Sequence, residues 1–546
     1  MVYNAGGMER IPLLEQEGWT RHQTLERRGR GGHAELTTPS ALHKFASQLF
    51  LDAQPPLLFQ EGNTPRFEFI HTLYDRRYSL CKALALLEWL RRKRRVTPRI
   101  LLTNATLITM DEKLGDLRSA DLLIENDRIA AIEPSGRIAK QDAEIVDATN
   151  SIVIPGLINT HMHTWQTALR SIASNWTLLE YFKKMHAGLA KVFQPDDLYI
   201  ANLMGALNQM NGGTTTLVDW CHGNRTPAHN DAAIDALFES GIRAFFFHGT
   251  PKPDPKPGEK GFWEIPHPRA ELERLIKHRV GGLVGIGAAI LGPHYSTLEV
   301  SIHDFRMAMD LGVIASMHQG GGPPRAPGGW ERLEKEGLLG PHVNIVHGQG
   351  ISDDQISRFC SLGASFSVSP ESEMIQGHGF PITGRLRKAG RAPSLGIDLE
   401  TAISGEMLTA ARVALNMQRA LDNFAHREAT GGIPETSTIS TREALAWVTI
   451  EGARMLRMED QIGSLKPGKQ ADLVLISTGA INMQPVHDPV SSVVMQATLG
   501  NIDSVMIAGK WKKRAGQLLA PALSEKTARL CASGGRILDA MQIPLG

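Results

Sequence analysis

Between residues 152 and 423, eight short apolar runs alternate with stretches long enough for helices, and the segments on either side read as strands and turns. Each run is followed closely by a histidine or a carboxylate. Together these features predict an α/β chain built on a (β/α)8 TIM barrel, with a small β-sandwich domain formed from both flanks. The expected boundaries are 1–96 for an N-terminal extension, 97–153 with 465–520 for the composite β domain, 154–464 for the barrel, and 521–546 for a C-terminal tail.

Taken in order, residues 1–96 mix basic, polar and turn-forming residues, with helical patches at 41–51 and 78–90 and a basic run, Arg91-Arg-Lys-Arg-Arg95. Such a run fits a solvated linker or an anion-seeking surface, and no recognisable chemistry lies in the segment. From residue 100 the pattern turns to β, at 100–110, 120–125, 128–133 and 143–146, and a matching set returns at 470–476, 493–496 and 502–508. The barrel runs are 152–159, 214–219, 243–247, 283–290, 313–317, 344–346, 364–368 and 394–397. Helices are expected between them, among others at 197–211, 231–241, 301–312 and 352–363.

Composition narrows the function classes. The 546 residues carry a formal charge of +1, so no global field draws nucleic acid or an anionic membrane. Cys81, Cys221, Cys360 and Cys531 are scattered and form no Cys-x-x-Cys, which implies neither a zinc knuckle nor a disulfide framework. No apolar stretch approaches the roughly 20 residues that cross a bilayer, and no secretory signal is evident. A cytoplasmic protein is expected, with a small-molecule substrate and copies of itself as partners.

Barrel enzymes build their sites at the C-terminal ends of the strands. Run one leads to His161 and His163, which in an ideal strand share a face while Met162 turns away. Run two gives Asp219 and His222, run three His248, run four His294, run five His318, run six His347, run seven Glu371 and Glu373, and run eight Asp398. His161, His163, His318 and Asp398 supply what a mononuclear hydrolytic site needs: neutral imidazoles, a carboxylate and an open position for water. In such a site the pKa of water falls from about 16 towards 7. His347 is placed to polarise the electrophile or hold the nucleophile, and Asp398 to relay a proton. One divalent metal is expected, zinc ahead of iron. His222, His294, Gln319 and Trp165 are expected to meet the substrate, Trp165 by stacking. Packed or solvated rim histidines fit the pattern equally at His222, His248 and His294. The glycine- and proline-rich stretch 320–329 is expected to be a loop over the pocket.

These residues also carry a resemblance. Pro155-Gly-Leu-Ile-Asn-Thr-His-Met-His163 resembles the first-strand signature of the amidohydrolase superfamily, in its cytosine-deaminase-like and chlorohydrolase-like branch. Gly212-Gly-Thr-Thr-Thr-Leu-Val-Asp219, Val346-His347, Ser394-Leu-Gly-Ile-Asp398 and Ile462-Gly-Ser-Leu-Lys-Pro-Gly-Lys-Gln-Ala-Asp-Leu-Val474 match it in order and spacing. The resemblance spans about residues 99–519. It implies a distorted barrel with a terminal β-sandwich, one catalytic divalent metal, and hydrolysis at carbon bonded to nitrogen or halide. By the same resemblance His161, His163, His318 and Asp398 are metal ligands and His347 is catalytic. In one place the chain departs from the family. Deaminases of the family place a glutamate three residues after the fifth-strand histidine, and here the segment is His318-Gln-Gly-Gly-Gly-Pro-Pro324. Glu371, with Glu373 beside it, is the replacement acid/base candidate, and Gln319 a hydrogen-bonding one. The expected activity is deamination-type hydrolysis of a C–N bond in a small cyclic or aromatic nitrogenous substrate, through a metal-bound hydroxide. Alternatives are hydrolysis of an amide, lactam or carbon–halide bond by the same site, or a non-catalytic scaffold relative, against which the intact ligand set argues.

Overall fold

A computed structural model describes residues 99–541. The helical patches and basic run expected before residue 99 lie outside the described residues.

The N-terminal flank supplies β1 (Arg99–Leu107), β2 (Leu117–Glu125), β3 (Arg128–Pro134), β4 (Glu144–Asp147) and β5 (Ser151–Pro155). The barrel follows with β6 (Leu157–Met162), β7 (Thr214–Cys221), β8 (Arg243–His248), β9 (Val284–Ile290), β10 (Ala315–Gln319), β11 (Val343–His347), β12 (Ser365–Val368) and β13 (Ser394–Leu395). Every neighbouring pair in this eight-stranded sheet is parallel, in sequence order. Long helices such as Pro195–Asn211, Pro227–Ser240 and Leu298–Asp310 run between the strands, as parallel connections require. The C-terminal flank returns β14 (Leu473–Ser477), β15 (Ile502–Ile507), β16 (Lys510–Arg514) and β17 (Gln517–Leu518). These join β1–β5 in one nine-stranded sheet with an apolar cluster of its own, including Leu102, Leu122, Ile124, Leu473 and Met506. The small β domain is therefore a single continuous sheet contributed by both flanks.

The first apolar run divides between the two sheets. Up to Pro155 it pairs with β14 and β1; from Leu157 it pairs with β7. Proline has no amide to extend the ladder. At Gly156 a Cβ would lie 2.0 Å from the Thr215 hydroxyl, so only glycine permits the crossing. The barrel closes where β6 meets the end of β13. Met162 and Asp398 form a parallel bridge, His163 N–H donates to the Asp398 carbonyl at 2.8 Å, and Asp398 N–H donates to the His161 carbonyl at 2.9 Å. Gly396 makes this seam possible, because a Cβ there would meet His161 backbone atoms at 2.6–2.7 Å.

Two expectations are corrected. Residues 493–496 form no strand: they fall in the helical turn Ser492–Gln496, which continues from the turn Pro489–Ser491. Asp488 caps the start by accepting from the Val490 and Ser491 amides, with Pro489 at the first helical position. The expected tail contains an eighteen-residue helix, Leu523–Ala540. Its Leu530, Ile537 and Leu538 are buried, and Ser533 and Arg536 both bond the Asp197 carboxylate on helix Pro195–Asn211. No described helix is long and apolar enough to cross a membrane.

Candidate metal centre

Three strands deliver four side chains to one point. His161, His163, His318 and Asp398 are buried, and one ligand atom from each lies within 4.8 Å of the others. The Nε2 atoms of His161 and His318 are 3.2 Å apart, and Asp398 Oδ1 is 3.3 Å from Nε2 of both His161 and His163. The seam sets this register. His161 sits within β6, and Asp398 follows β13 with a positive φ of 67°, a strained backbone position for a non-glycine residue.

The surrounding bonds leave the right atoms free. His163 Nδ1 lies 2.6 Å from the Trp220 carbonyl, which can only accept, so the proton is on Nδ1 and the Nε2 lone pair faces the cluster. Asp398 Oδ2 accepts from Ser372 Oγ at 2.7 Å, leaving Oδ1 to the cluster. Burial pushes His163 down to about 3 and His318 well below the usual imidazole range, so the rings are neutral. Burial alone would raise the Asp398 carboxyl, but the His161 hydrogen bond and the imidazoles packed around it hold it well below the carboxylate range. Lone pairs of neutral imidazoles and a carboxylate converge here with too few protons to bridge them, and a divalent cation fits that donor set.

His347 stands beside the cluster, one strand beyond His318, with a positive φ of 71°. Its Nδ1 is 3.0 Å from Glu373 Oε1, which also accepts from Ser369 N–H at 2.8 Å. Nδ1 therefore carries the proton, and Nε2 is the atom left for the reacting group. Burial works to lower this imidazole, yet the Glu373 bond and the Asp398 charge outweigh it and raise it above the ordinary value.

A cavity adjoins the centre. Its lining includes His163, His222, His318, His347 and Asp398. The other expected substrate contacts are elsewhere, and the physical reason differs in each case. Trp165 is fully buried and donates its indole N–H to His222 Nδ1 at 3.0 Å, so it orients His222, which itself stacks on His163. Gln319 is held by Trp330, which donates to its oxygen at 3.0 Å, and its nitrogen meets His294 Nδ1 at 3.1 Å. That pairing ties Gln319 to Trp330 and His294, and neither Gln319 nor His294 lines the cavity. Glu371 also lies off the lining; burial and the Glu406 charge push it up to about 7. Its neighbour Glu373 is the carboxylate that reaches a site histidine. His248 pairs with His267 at 2.9 Å, outside the cavity. The cover over the cavity comes from Leu178, Tyr181, Phe182 and His186, and the stretch 320–329 contributes none of its lining. Lys252, Tyr295, Gln376 and His378 complete the lining. They sit on loops and short turns after the strands, where no period or motif marks them.

Comparison with known proteins agrees with this architecture. Residues 152–512 match the family described as "Amidohydrolase family". A 5-methylthioadenosine/S-adenosylhomocysteine deaminase of Symbiobacterium thermophilum is 27% identical over 431 residues, 76% of this chain and 93% of that protein. An 8-oxoguanine deaminase of Pseudomonas aeruginosa is 29% identical over 415 residues, 72% of this chain and 89% of that protein. Among solved structures, an adenosine deaminase from Xanthomonas campestris with bound zinc superposes with a TM-score of 0.68 at 22% identity, covering 81% of this chain and 98% of that one. An atrazine chlorohydrolase from Arthrobacter aurescens complexed with zinc gives a TM-score of 0.68 at 24% identity, covering 80% of this chain and 100% of that one. At these identities the two structures speak for the shared fold.

Proposed function

The chain belongs to the amidohydrolase family, and from that premise we propose that it is a zinc-dependent hydrolase that deaminates a small, flat nitrogen heterocycle. It acts on carbon–nitrogen bonds other than peptide bonds. The observation that carries the reading is the buried convergence of His161, His163, His318 and Asp398 at the barrel mouth. The deaminases among its relatives support the reaction type. One zinc ion is proposed, held by those four side chains; when bound, it supplies Lewis acidity that lowers the pKa of water and polarises the scissile bond.

The remaining work falls to the chain's own residues. Glu373 fixes the His347 tautomer, so His347 Nε2 can take a proton at the reacting face and return it to the leaving amine. Asp398 is the second proton carrier, with Oδ2 held by Ser372. This pairing takes the place of the fifth-strand carboxylate that the chain lacks. Burial of the cavity walls keeps bulk water from competing.

The test is ammonia release from purified protein over a panel of 5-methylthioadenosine, 8-oxoguanine, adenine and an aminotriazine, with chloride release from a chlorotriazine measured beside it. Ammonia from at least one compound, lost in His161→Ala, is the expected result. Chloride without ammonia, or no turnover across the panel, contradicts the deaminase reading.

A further inference from the structure

Lys252 is the one ammonium in the cavity lining, and the proposed reaction does not use it. It lies in the loop after β8, between Pro251 and Pro253, whose fixed φ angles limit where the intervening side chain can go. The side chain is 6% exposed. Its Nζ sits over three aromatic rings brought by separate elements: Tyr295 at 5.1 Å, Trp220 at 5.6 Å and Phe182 at 5.8 Å. Among the described residues no carboxylate lies within 4 Å of it. Buried lysines are ordinarily paired, because leaving water without a counter-ion is costly. Aromatic faces offset part of that cost, but they leave the ammonium protons without acceptors.

The one carboxylate of the lining, Asp398, belongs to the proposed metal site, which leaves Lys252 without a counter-ion of its own in the cavity, and such a group attracts an anion.

We propose that Lys252 is a specificity-determining residue that binds an anionic oxygen on the substrate ring, selecting heterocycles that carry a carboxylate or an ionised ring oxygen over neutral ones. The inference deepens the hydrolase reading and rests on it for the location of the substrate. Burial pushes the ammonium down to about 8, partly countered by Asp398, so the charged form still predominates at neutral pH. The planar ring would lie against Tyr295 and Phe182, the aromatic walls that already flank the ammonium.

The experiment is calorimetric binding of three planar probes to the metal-loaded protein: uracil, neutral; barbiturate, ionised on the ring; and orotate, bearing a carboxylate. Wild type should bind at least one anionic probe about tenfold or more tighter than uracil. The two anions report which kind of oxygen is preferred. Lys252→Met should bring the anion and uracil affinities to within about threefold of each other, and Lys252→Arg should keep the preference. Should Lys252→Met not fold, Lys252→Gln serves the same arm. Equal affinities in wild type, no binding of any probe, or a preference unchanged in the neutral variants overturns the assignment. Binding needs no turnover, so an enzyme that releases no ammonia but shows the lysine-dependent preference would refute the deaminase reading and leave this one standing.

Discussion

The seam between β6 and β13 and the exit of β10 both deliver side chains of the proposed metal site, yet they are built on different terms. At the seam, backbone bonds between His161, His163 and Asp398 close the barrel and place the ligands in the same act. Gly396 and the positive φ of Asp398 are consequences of that closure. At the β10 exit, His318 joins the proposed ligand set, but the position three residues on is Gly321, and Gln319 is tied to Trp330 and His294. The carboxylate beside the site histidine comes from the next strands, as Glu373 behind His347. Ligand geometry is thus bound to the fold, while proton handling sits on turns that can be rearranged.

If the seam is indispensable, His161→Ala should lower kcat by about a thousandfold or more, roughly 4 kcal/mol of barrier. A decrease of less than tenfold would show that the seam is structural only. The β10 side predicts a smaller and more selective effect. Glu373→Gln keeps an acceptor for Ser369 N–H but removes the charge behind His347, so kcat should fall by about 10- to 100-fold with KM little changed. Glu371→Gln should change kcat by less than about threefold. Reversal of that order between the two glutamates would return the acid/base role to Glu371.

A stability measurement separates the seam from its support. Asp219 lies at the end of β7 opposite Met162, and burial pushes its carboxyl up to about 7 against hydrogen bonds from Thr164 and Asn202. Its folded pKa is above the ordinary 3.8, so the stability it contributes is full below that value and is lost as pH rises through about 7. The apparent Tm of wild type should therefore drop between about pH 4 and pH 7 and level off above that, and Asp219→Asn should flatten that drop. Identical pH profiles would show that Asp219 ionises in the fold without cost. The smallest effect belongs to Gln319→Leu. It should leave kcat within about fivefold while costing about 1–3 kcal/mol of stability, because Trp330 and His294 lose buried partners. A large loss of kcat at unchanged stability would place Gln319 on the substrate after all.

The same contrast explains what could be read in the sequence. Strand ends are legible because a buried run must stop somewhere, and a histidine or carboxylate at that point stands out. That logic picked out the four side chains that converge at the barrel mouth, His347 beside them, and the eight barrel strands. The division of the first run at Pro155-Gly156 was hidden because its two halves are equally apolar, and only pairing distinguishes β5 from β6. Residues 493–496 read as β from their valines, while the Asp488-Pro489 start that makes them helical lies outside the run. Trp165 offered a stacking surface by type, but its partner His222 is a contact between different strand ends. Lys252 gave no signal at all: it sits in a proline-rich loop whose path depends on the rings of Phe182, Trp220 and Tyr295.

The most direct test of the central claim is elemental analysis of purified wild type beside His161→Ala and Asp398→Asn, with folding monitored by circular dichroism. About one zinc per chain in wild type, and less than about one fifth of that in folded variants, is the predicted result. Equal zinc in all three proteins, or none in any, would contradict it.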